Sequence, residues 1–349
     1  MIKTEAIRNV KKESFTVTWN VGRRCNFDCT YCEPHFHNDY SKYKEFDEFK
    51  RAYDFVEQWL NLYNVNDTTI SFTGGEPTIH KGFWELLEYI PDNIYVGVTT
   101  NGAWGPTNTK RLIDNADSVT VSYHAEVDPR LKAQVIENIF AVSKSRLRLQ
   151  VNLMMHMDYW DECVDLYNKF KAEGIDVHAR PIGDGNVVRK GWFIDSEGNN
   201  RKTNHEYTPE QQEWIWSTKG LAFKASTTSE GSQLGRSCCG GRCLEGKVEG
   251  TWQPITMINT EFKGWYCSVD KYFLHIDQET NLVYHHQTCQ ALHNGQKGPV
   301  GSLDDPETML SNLRKHLENP TPIVCPNERC GCGMCVPKAK TLEDYEKLN

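Results

Sequence analysis

The sequence predicts an α/β fold, an incomplete barrel of six strand–helix units followed by a cysteine-rich C-terminal domain. Three observations predict it. Six short runs rich in Val, Ile, Thr and aromatic residues recur between Phe15 and Pro181, and segments of helical spacing separate them. The pattern stops after Pro181. From Arg236 onward nine of the thirteen cysteines fall in about one hundred residues.

The runs are "SFTVTWN", "TTISFTGG", "IYVGVTTNG", "SVTVSYHA", "RLQVNLMMH" and "IDVHARPI", each bounded by Gly, Asn or Asp. Between the first two, Phe49, Ala52, Tyr53, Val56, Trp59, Leu60 and Tyr63 repeat at the three-four spacing of one helix face. Between the last two, Trp160, Cys163, Val164, Tyr167 and Phe170 do the same, and Gly174 is placed to stop the helix. Strands alternating with helices of this length give βαβ units and a parallel sheet, here a partial (β/α)6 TIM-like barrel. In such a barrel the functional loops gather at the C-terminal ends of the strands.

The segment Gly183 to Gly235 is polar, carries Trp192, Trp214 and Trp216, and holds one helix-like run, "TPEQQEWIWSTKG". Thr208 is placed to cap that helix, with Glu210 or Gln211 supporting its first turn. The expected organisation is a core over residues 1–185, a bridging segment over 186–235 and a cysteine-rich domain over 236–349.

Composition limits the function classes. The 349 residues carry a net charge of −8, so there is no basic footprint for a polynucleotide. No apolar run reaches the length of a membrane span, and the opening "MIKTEAIRNVKKESF" lacks the apolar stretch of a signal peptide. A cytoplasmic location is therefore expected, where thiols stay reduced, so thirteen cysteines read as metal or cluster ligands rather than disulfides.

The chemistry gathers at the strand ends. The first strand runs into "RRCNFDCTYCEP", with Cys25, Cys29 and Cys32 spaced C-x3-C-x2-C and Tyr31 before the last. Three thiolates are too few to close a structural zinc site, although half of a zinc site is the bland alternative. The second strand ends in "TGGEP", where glycines permit close backbone approach and Glu76 offers a carboxylate for an ammonium. The third ends in "TTNG", with Thr100 and Asn101, and the fourth in "VSYH", with Ser122. The fifth and sixth offer Asn152 and Arg180, which serve equally as packing or salt-bridge residues. His35 and His37 follow the cysteine loop, and Tyr123, His124 and Glu126 follow the fourth strand; both groups read as site residues or as ordinary loop residues.

The cysteine triplet, "TGGEP" and "TTNG", in this order on successive strand ends, resemble the radical S-adenosylmethionine (radical SAM) superfamily over residues 13–185. The resemblance implies that Cys25, Cys29 and Cys32 hold three irons of a 4Fe–4S cluster and leave the fourth open to the amine and carboxylate of S-adenosyl-L-methionine. An electron passed to the sulfonium then yields methionine and a 5′-deoxyadenosyl radical, which removes a substrate hydrogen. It further implies cofactor contacts at Tyr31, Gly74, Gly75, Glu76, Thr100, Asn101, Ser122, Asn152 and Arg180.

The C-terminal cysteines form three groups: Cys238, Cys239 and Cys243; Cys267 and Cys289, which bracket a hairpin with turn "QETN"; and Cys325, Cys330, Cys332 and Cys335. This arrangement resembles the SPASM and twitch auxiliary-cluster domains, although the spacing from Cys325 to Cys335 departs from the usual SPASM pattern. The resemblance implies one or two auxiliary 4Fe–4S clusters; one cluster plus zinc, or zinc alone, are the alternatives. Cys163 reads as a core thiol, and Cys163 and Cys289 are the candidate hydrogen donors.

The expected function is hydrogen abstraction from a peptide or protein, leading to epimerisation, crosslinking or oxidation, with flavodoxin or ferredoxin as electron donor. A sugar, cyclitol or nucleoside substrate is the enzyme alternative, and a metal-stabilised binding module without catalysis is the non-enzyme one.

Overall fold

A computed structural model of the chain describes residues 4–9, 14–32, 37–183, 192–194, 200–202, 205–218, 244–254, 261–286, 289, 291–292, 296–327 and 336–348. The chain divides into two compact units. One comprises residues 20–50 and 71–231, the other residues 1–19, 51–70 and 232–349. Two strands precede the cysteine loop, β1 (Thr4–Asn9) and β2 (Phe15–Asn20). Strand β1 was not legible, because "TEAIRN" carries neither β-branched enrichment nor alternation.

Strands β3 (Thr68–Thr73), β4 (Tyr95–Thr100), β5 (Ser118–His124), β6 (Arg148–Met155) and β7 (Asp176–Pro181) follow one another in one sheet, the last four lying wholly in the unit that holds residues 71–231. The pairs β4–β5, β5–β6 and β6–β7 are parallel, in registers that set Thr99 against Thr120 and Ser122 against Asn152. Parallel neighbours require crossovers. These are α2 (Lys81–Tyr89), α3 (Thr107–Asn115), α4 (Pro129–Ser143) and α5 (Trp160–Ala172); α1 (Phe46–Tyr63) lies between β2 and β3 in sequence. All six strands read from the sequence are present, and the architecture is mixed α/β.

Alternation along β5 separates two faces. Val119, Val121 and Tyr123 are buried, and Ser122 and His124 turn the other way. The Tyr123 hydroxyl donates to Glu162 of α5 at 2.5 Å, so Tyr123 is a core residue and not part of the site. Cys163 is wholly buried on α5, where its thiol points at the Met154 carbonyl at 3.6 Å, the core position its helix face predicts. Gly174 adopts a φ of +73° just past α5 and ends it.

The bridging segment is more firmly attached than a linker. Strands β8 (Trp192–Ile194) and β9 (Asn200–Lys202) form a hairpin, and α6 (Pro209–Ser217) begins with the Thr208–Gln211 capping box. Ahead of α6 the Tyr207 hydroxyl donates to the Met155 carbonyl and accepts from the Ile182 N–H, both at 2.7 Å. Residues 205–207 are thereby tied to the ends of β6 and β7, and Trp214 packs edge-on against Trp160 and Tyr167.

In the other unit, β10 (Leu244–Val248), β11 (Thr251–Pro254), β12 (Tyr266–Cys267), β16 (Ile323–Val324) and β17 (Lys338–Ala339) join β1 in a sheet ordered β11-β10-β1-β17-β12-β16. The hairpin expected between Cys267 and Cys289 is β13 (Phe273–Asp277) with β14 (Leu282–Tyr284), extended by β15 (Gly301–Ser302). Helices α7 (Pro306–Glu318) and α8 (Leu342–Glu346) belong to the same unit. Among the described residues no helix is long and apolar enough to cross a membrane.

Candidate functional site

The loop after β2 is stitched to the end of β3 along its backbone. Val21 N–H donates to Thr73 O at 2.9 Å, Gly75 N–H to Gly22 O at 2.7 Å and Glu76 N–H to Arg24 O at 2.8 Å. This close approach explains both glycines. A Cβ on Gly75 would stand 2.3 Å from Arg24 O, and one on Gly74, whose φ is +132°, would stand 2.7 Å from Gly22 O. The space the glycines leave is filled by the cysteine loop itself. Gly75→Ala is therefore expected to push that loop off the strand end, at a cost of about 3 kcal/mol, measurable by urea denaturation.

Glu76 ties the ends of β3 and β4 together. Its carboxylate is fully buried and accepts from Thr78 N–H (2.9 Å), Thr78 Oγ1 (2.6 Å), Thr100 Oγ1 (2.7 Å) and Asn101 N–H (2.6 Å). Burial pushes the pKa of its carboxyl up, while the hydrogen bonds from Asn101, Thr78 and Thr100 act the other way. Thr100 and Asn101 thus meet Glu76 directly. Asn101 also donates to Asn26 Oδ1 at 2.7 Å and approaches Cys25 Sγ at 3.9 Å, which carries the network to the thiols.

Cys25, Cys29 and Cys32 form no disulfide, with Cys29 buried and the other two half-buried. They stand close enough for a negative charge on one to disfavour charge on the others. Burial, reinforced by the charge of Glu76, pushes the Cys25 thiol up to about 12; burial also pushes Cys29 up, with Glu126 and the other two cysteines adding to it. Bare thiolates are thus disfavoured here, and a bound metal reverses that by deprotonating its ligands. A convergent triplet of thiols in a low-dielectric pocket is the donor set an iron–sulfur cluster needs, so the residues fit the group the sequence implies.

A second loop, after β5, clamps the cysteine loop from the side. Glu126 accepts from Thr30 N–H at 2.9 Å and from Thr30 Oγ1 at 2.7 Å, and lies 3.6 Å from His156 Nε2. Burial raises the Glu126 carboxyl, but the contacts from His156 and Thr30 outweigh it and hold the group below its usual range. A carboxyl depressed in the folded state stabilises above its ordinary titration range and loses that contribution as pH falls through the depressed value. The melting-temperature gap between wild type and Glu126→Gln is therefore expected to be full at pH 7 and to close in acid.

Burial pushes His124 down to about 4, so it is neutral near pH 7; its Nδ1 is hydrogen-bonded to the Tyr31 hydroxyl at 2.5 Å, and Cys29 Sγ lies 3.3 Å from the same atom. His205 and His156 lie beside Tyr31, with their own rings 4.4 Å apart. His156, His205 and Tyr207 escaped the sequence reading. His156 directly follows the β6 end much as His124 closes β5, and that parallel was the available signal.

Ser122 and Asn152 share a register row, and Asn152 Oδ1 accepts from Arg180 Nε at 2.9 Å, so the three gather on β5, β6 and β7. His37 meets Asp28 at 3.3 Å. His35, Cys238, Cys239, Cys243, Cys330, Cys332 and Cys335 lie outside the described residues. In the other unit Cys267, Cys289 and Cys325 are buried and line one cavity. Among the described residues no three His, Cys, Asp or Glu side chains are placed to hold a single metal ion. A multi-iron cluster spans a wider triangle of thiols than one ion does.

Residues 19–187 match the family described as the Radical SAM superfamily, and this part of the chain is a radical SAM domain. Similar curated proteins include a GTP 3′,8-cyclase of Clostridium perfringens (strain SM101 / Type A), 26% identical over 46% of this chain and 54% of that protein. Another is the GTP 3′,8-cyclase of Actinobacillus succinogenes, 32% identical over 33% of this chain and 35% of that one. An S-adenosylmethionine-dependent nucleotide dehydratase of Selenomonas ruminantium is 28% identical over 26% and 31%. The chain spans about half the length, or less, of the curated relatives it matches. Among solved structures, native anSMEcpe with bound AdoMet and Cp18Cys peptide aligns with a TM-score of 0.46 at 15% identity, over 87% of this chain and 81% of that one. Likeness at that level sets no substrate.

Proposed function

We propose that this radical SAM enzyme reductively cleaves S-adenosyl-L-methionine and abstracts a hydrogen from a peptide or protein, in a maturation reaction such as epimerisation, crosslinking or oxidation. One observation carries the cofactor chemistry: three cysteines outside any disulfide on one loop, which is hydrogen-bonded to "GGE" and reached by Asn101. Cys25, Cys29 and Cys32 would hold a 4Fe–4S cluster. When bound, that cluster supplies the low-potential electron that cleaves the sulfonium and frees a hydrogen-abstracting 5′-deoxyadenosyl radical.

The chain's own residues frame the reaction. Glu76, Thr100 and Asn101 fix the two strand ends relative to each other, and Glu126 and His124 hold Thr30 and Tyr31 in place. Tyr31, the Gly74–Gly75 backbone, Ser122, Asn152 and Arg180 are the proposed contacts to S-adenosyl-L-methionine, with Glu76 facing its ammonium. The nine C-terminal cysteines are the proposed ligands of one or two auxiliary clusters. A flavodoxin- or ferredoxin-type protein is the proposed electron donor.

The cysteine-rich C-terminal domain supports the peptide reading, since extensions of that kind accompany many peptide-modifying members of the superfamily. A nucleotide substrate is the second reading, favoured by the names of the GTP cyclase and nucleotide dehydratase relatives. Anaerobic reconstitution tests both. About eight to twelve irons per chain and reductant-dependent 5′-deoxyadenosine are expected; zinc without cleavage would indicate a binding module. Stimulation of 5′-deoxyadenosine release by peptides and not by GTP supports the first substrate class, and the reverse supports the second.

A further inference from the structure

Two tryptophans stand half-buried where α5 and α6 meet, Trp160 at the head of α5 and Trp214 within α6. They line a cleft of about 550 Å³, the size of a site that takes a side chain or a small molecule. The cleft is held in shape by packing. Trp214 meets Trp160 edge-on at 5.5 Å and Tyr167 at 5.2 Å, the Tyr207 ring lies 6.1 Å from Trp160, and Ile215 beside Trp214 is buried.

The rim of this aromatic cleft is acidic. Asp161 and Asp165 of α5 and Glu210 of α6 line it, and all three are exposed. A carboxylate in the first turn of a helix is at home beside the helix dipole, which accounts for Asp161 and Glu210. It does not account for Asp165, one turn further on, where a like charge four residues from Asp161 works against the helix. The neighbouring ammonium groups are turned elsewhere: Lys132 pairs with Glu162 at 2.7 Å, and Lys169 lies over the Phe140 ring at 5.2 Å. Among the described residues no three carboxylates converge on a single metal ion. The cleft suits a broader cation, whose plane or alkyl stem lies on the tryptophans while its N–H groups meet the carboxylates.

A run of ring contacts places the cleft at the same end of the sheet as the cysteine loop. Tyr31 lies 6.1 Å from His205, His205 lies 6.3 Å from Tyr207, and Tyr207 lies 6.1 Å from Trp160. The Trp160 ring is thus within about 20 Å of the cysteine loop, a span of about six extended residues.

We propose that the cleft between α5 and α6 docks a basic side chain of the substrate peptide, arginine above all, carried about six residues from the residue that is modified. This rests on the peptide reading above and adds a recognition element to it. Trp160 and Trp214 supply the faces on which the guanidinium lies, and Asp161, Asp165 and Glu210 supply its counter-charge.

The test is fluorescence anisotropy on the full, anaerobically reconstituted chain at low salt. The probe is a fluorescein-labelled Gly/Ser peptide carrying two arginines, and the reference is its citrulline counterpart, alike in shape and uncharged. Asp161→Asn with Asp165→Asn removes two exposed charges from the cleft without touching the core. Glu57→Gln with Glu137→Gln removes the same charge from exposed positions on α1 and α4.

Wild type is expected to bind the arginine probe about tenfold or more tighter than the citrulline one, and Asp161→Asn with Asp165→Asn to lose that margin. The Glu57 and Glu137 double variant is expected to stay within about twofold of wild type. Equal affinity for the two peptides, equal losses in the two double variants, or no binding of the arginine probe at about 1 mM overturns the proposal. Displacement of the probe by free argininamide as readily as by unlabelled peptide also overturns it, by assigning the cleft to a small cation. Each of these failures leaves the peptide reading standing, because that reading is decided by whether peptides or GTP stimulate 5′-deoxyadenosine release. Stimulation by GTP alone overturns both.

Discussion

Replacing Cys25, Cys29 and Cys32 together by alanine is expected to bring 5′-deoxyadenosine formation below detection and to remove about four irons per chain, leaving the remainder bound. The size of the effect follows from the way the site is built. The three thiols share one loop, pinned by backbone hydrogen bonds from Gly75 and Glu76 and by those exchanged with Asn38, and no other described cysteine belongs to that loop. Iron analysis and product chromatography on the same preparation separate loss of the first cluster from general misfolding, because the retained iron reports an intact C-terminal region. Cleavage that persists in the triple variant would show that the triplet is not the ligand set.

Glu76→Ala is expected to be the most destabilising single substitution in the core of the site, at about 4 kcal/mol. It strands four buried donors, the N–H and hydroxyl of Thr78, the hydroxyl of Thr100 and the N–H of Asn101, each worth at least about 1 kcal/mol when left without an acceptor. Glu76→Gln keeps one acceptor oxygen but turns an amide N–H₂ toward a donor, and is expected to lose roughly half as much. Wild type and Glu76→Gln also separate by pH. Burial raises the Glu76 carboxyl above its ordinary value of 4.5, so the folded chain holds a proton that the unfolded chain has released. Wild-type stability therefore falls as pH rises through that interval, and Gln has no such dependence. The gap between wild type and Glu76→Gln is expected to narrow as pH climbs above 4.5, read from urea midpoints across a pH series. A gap that widens would reverse the sign of the burial effect.

Much of this site was legible because strand-end residues sit where topology sends them. Once the runs ending at Asn20, Thr73 and Thr100 are placed side by side, Cys25, Gly75 and Asn101 meet without any knowledge of side-chain packing. What the residue types conveyed less well was their partner. The glycines at 74 and 75 announce close approach, and the approach is to the chain's own cysteine loop. Glu76 announces a buried carboxylate, and its four donors come from Thr78, Thr100 and Asn101, a pairing that depends on tertiary distance.

The clamp at Glu126 and the His156–His205 pair were out of reach for the same reason. His205 comes from a segment read as a linker, and the Tyr207 hydroxyl bridging Met155 and Ile182, with the His205 N–H donating to the Ile182 carbonyl, shows that it docks on the strand ends. The N-terminal strand was hidden in another way. "TEAIRN" is stabilised by two neighbours far away in sequence, Leu244–Val248 and Lys338–Ala339, and its local pattern carries no trace of them. Tyr123 illustrates the opposite case, in which period-two alternation alone puts it on the buried face, away from Ser122 and His124.

The most direct measurement is the electron paramagnetic resonance spectrum of the reduced, oxygen-protected protein, recorded before and after adding S-adenosyl-L-methionine. A cluster held by Cys25, Cys29 and Cys32 with one iron open to the sulfonium compound predicts a clear shift in the signal, absent from the triple alanine variant. Identical spectra with and without the compound, in protein shown to contain the cluster, would contradict it.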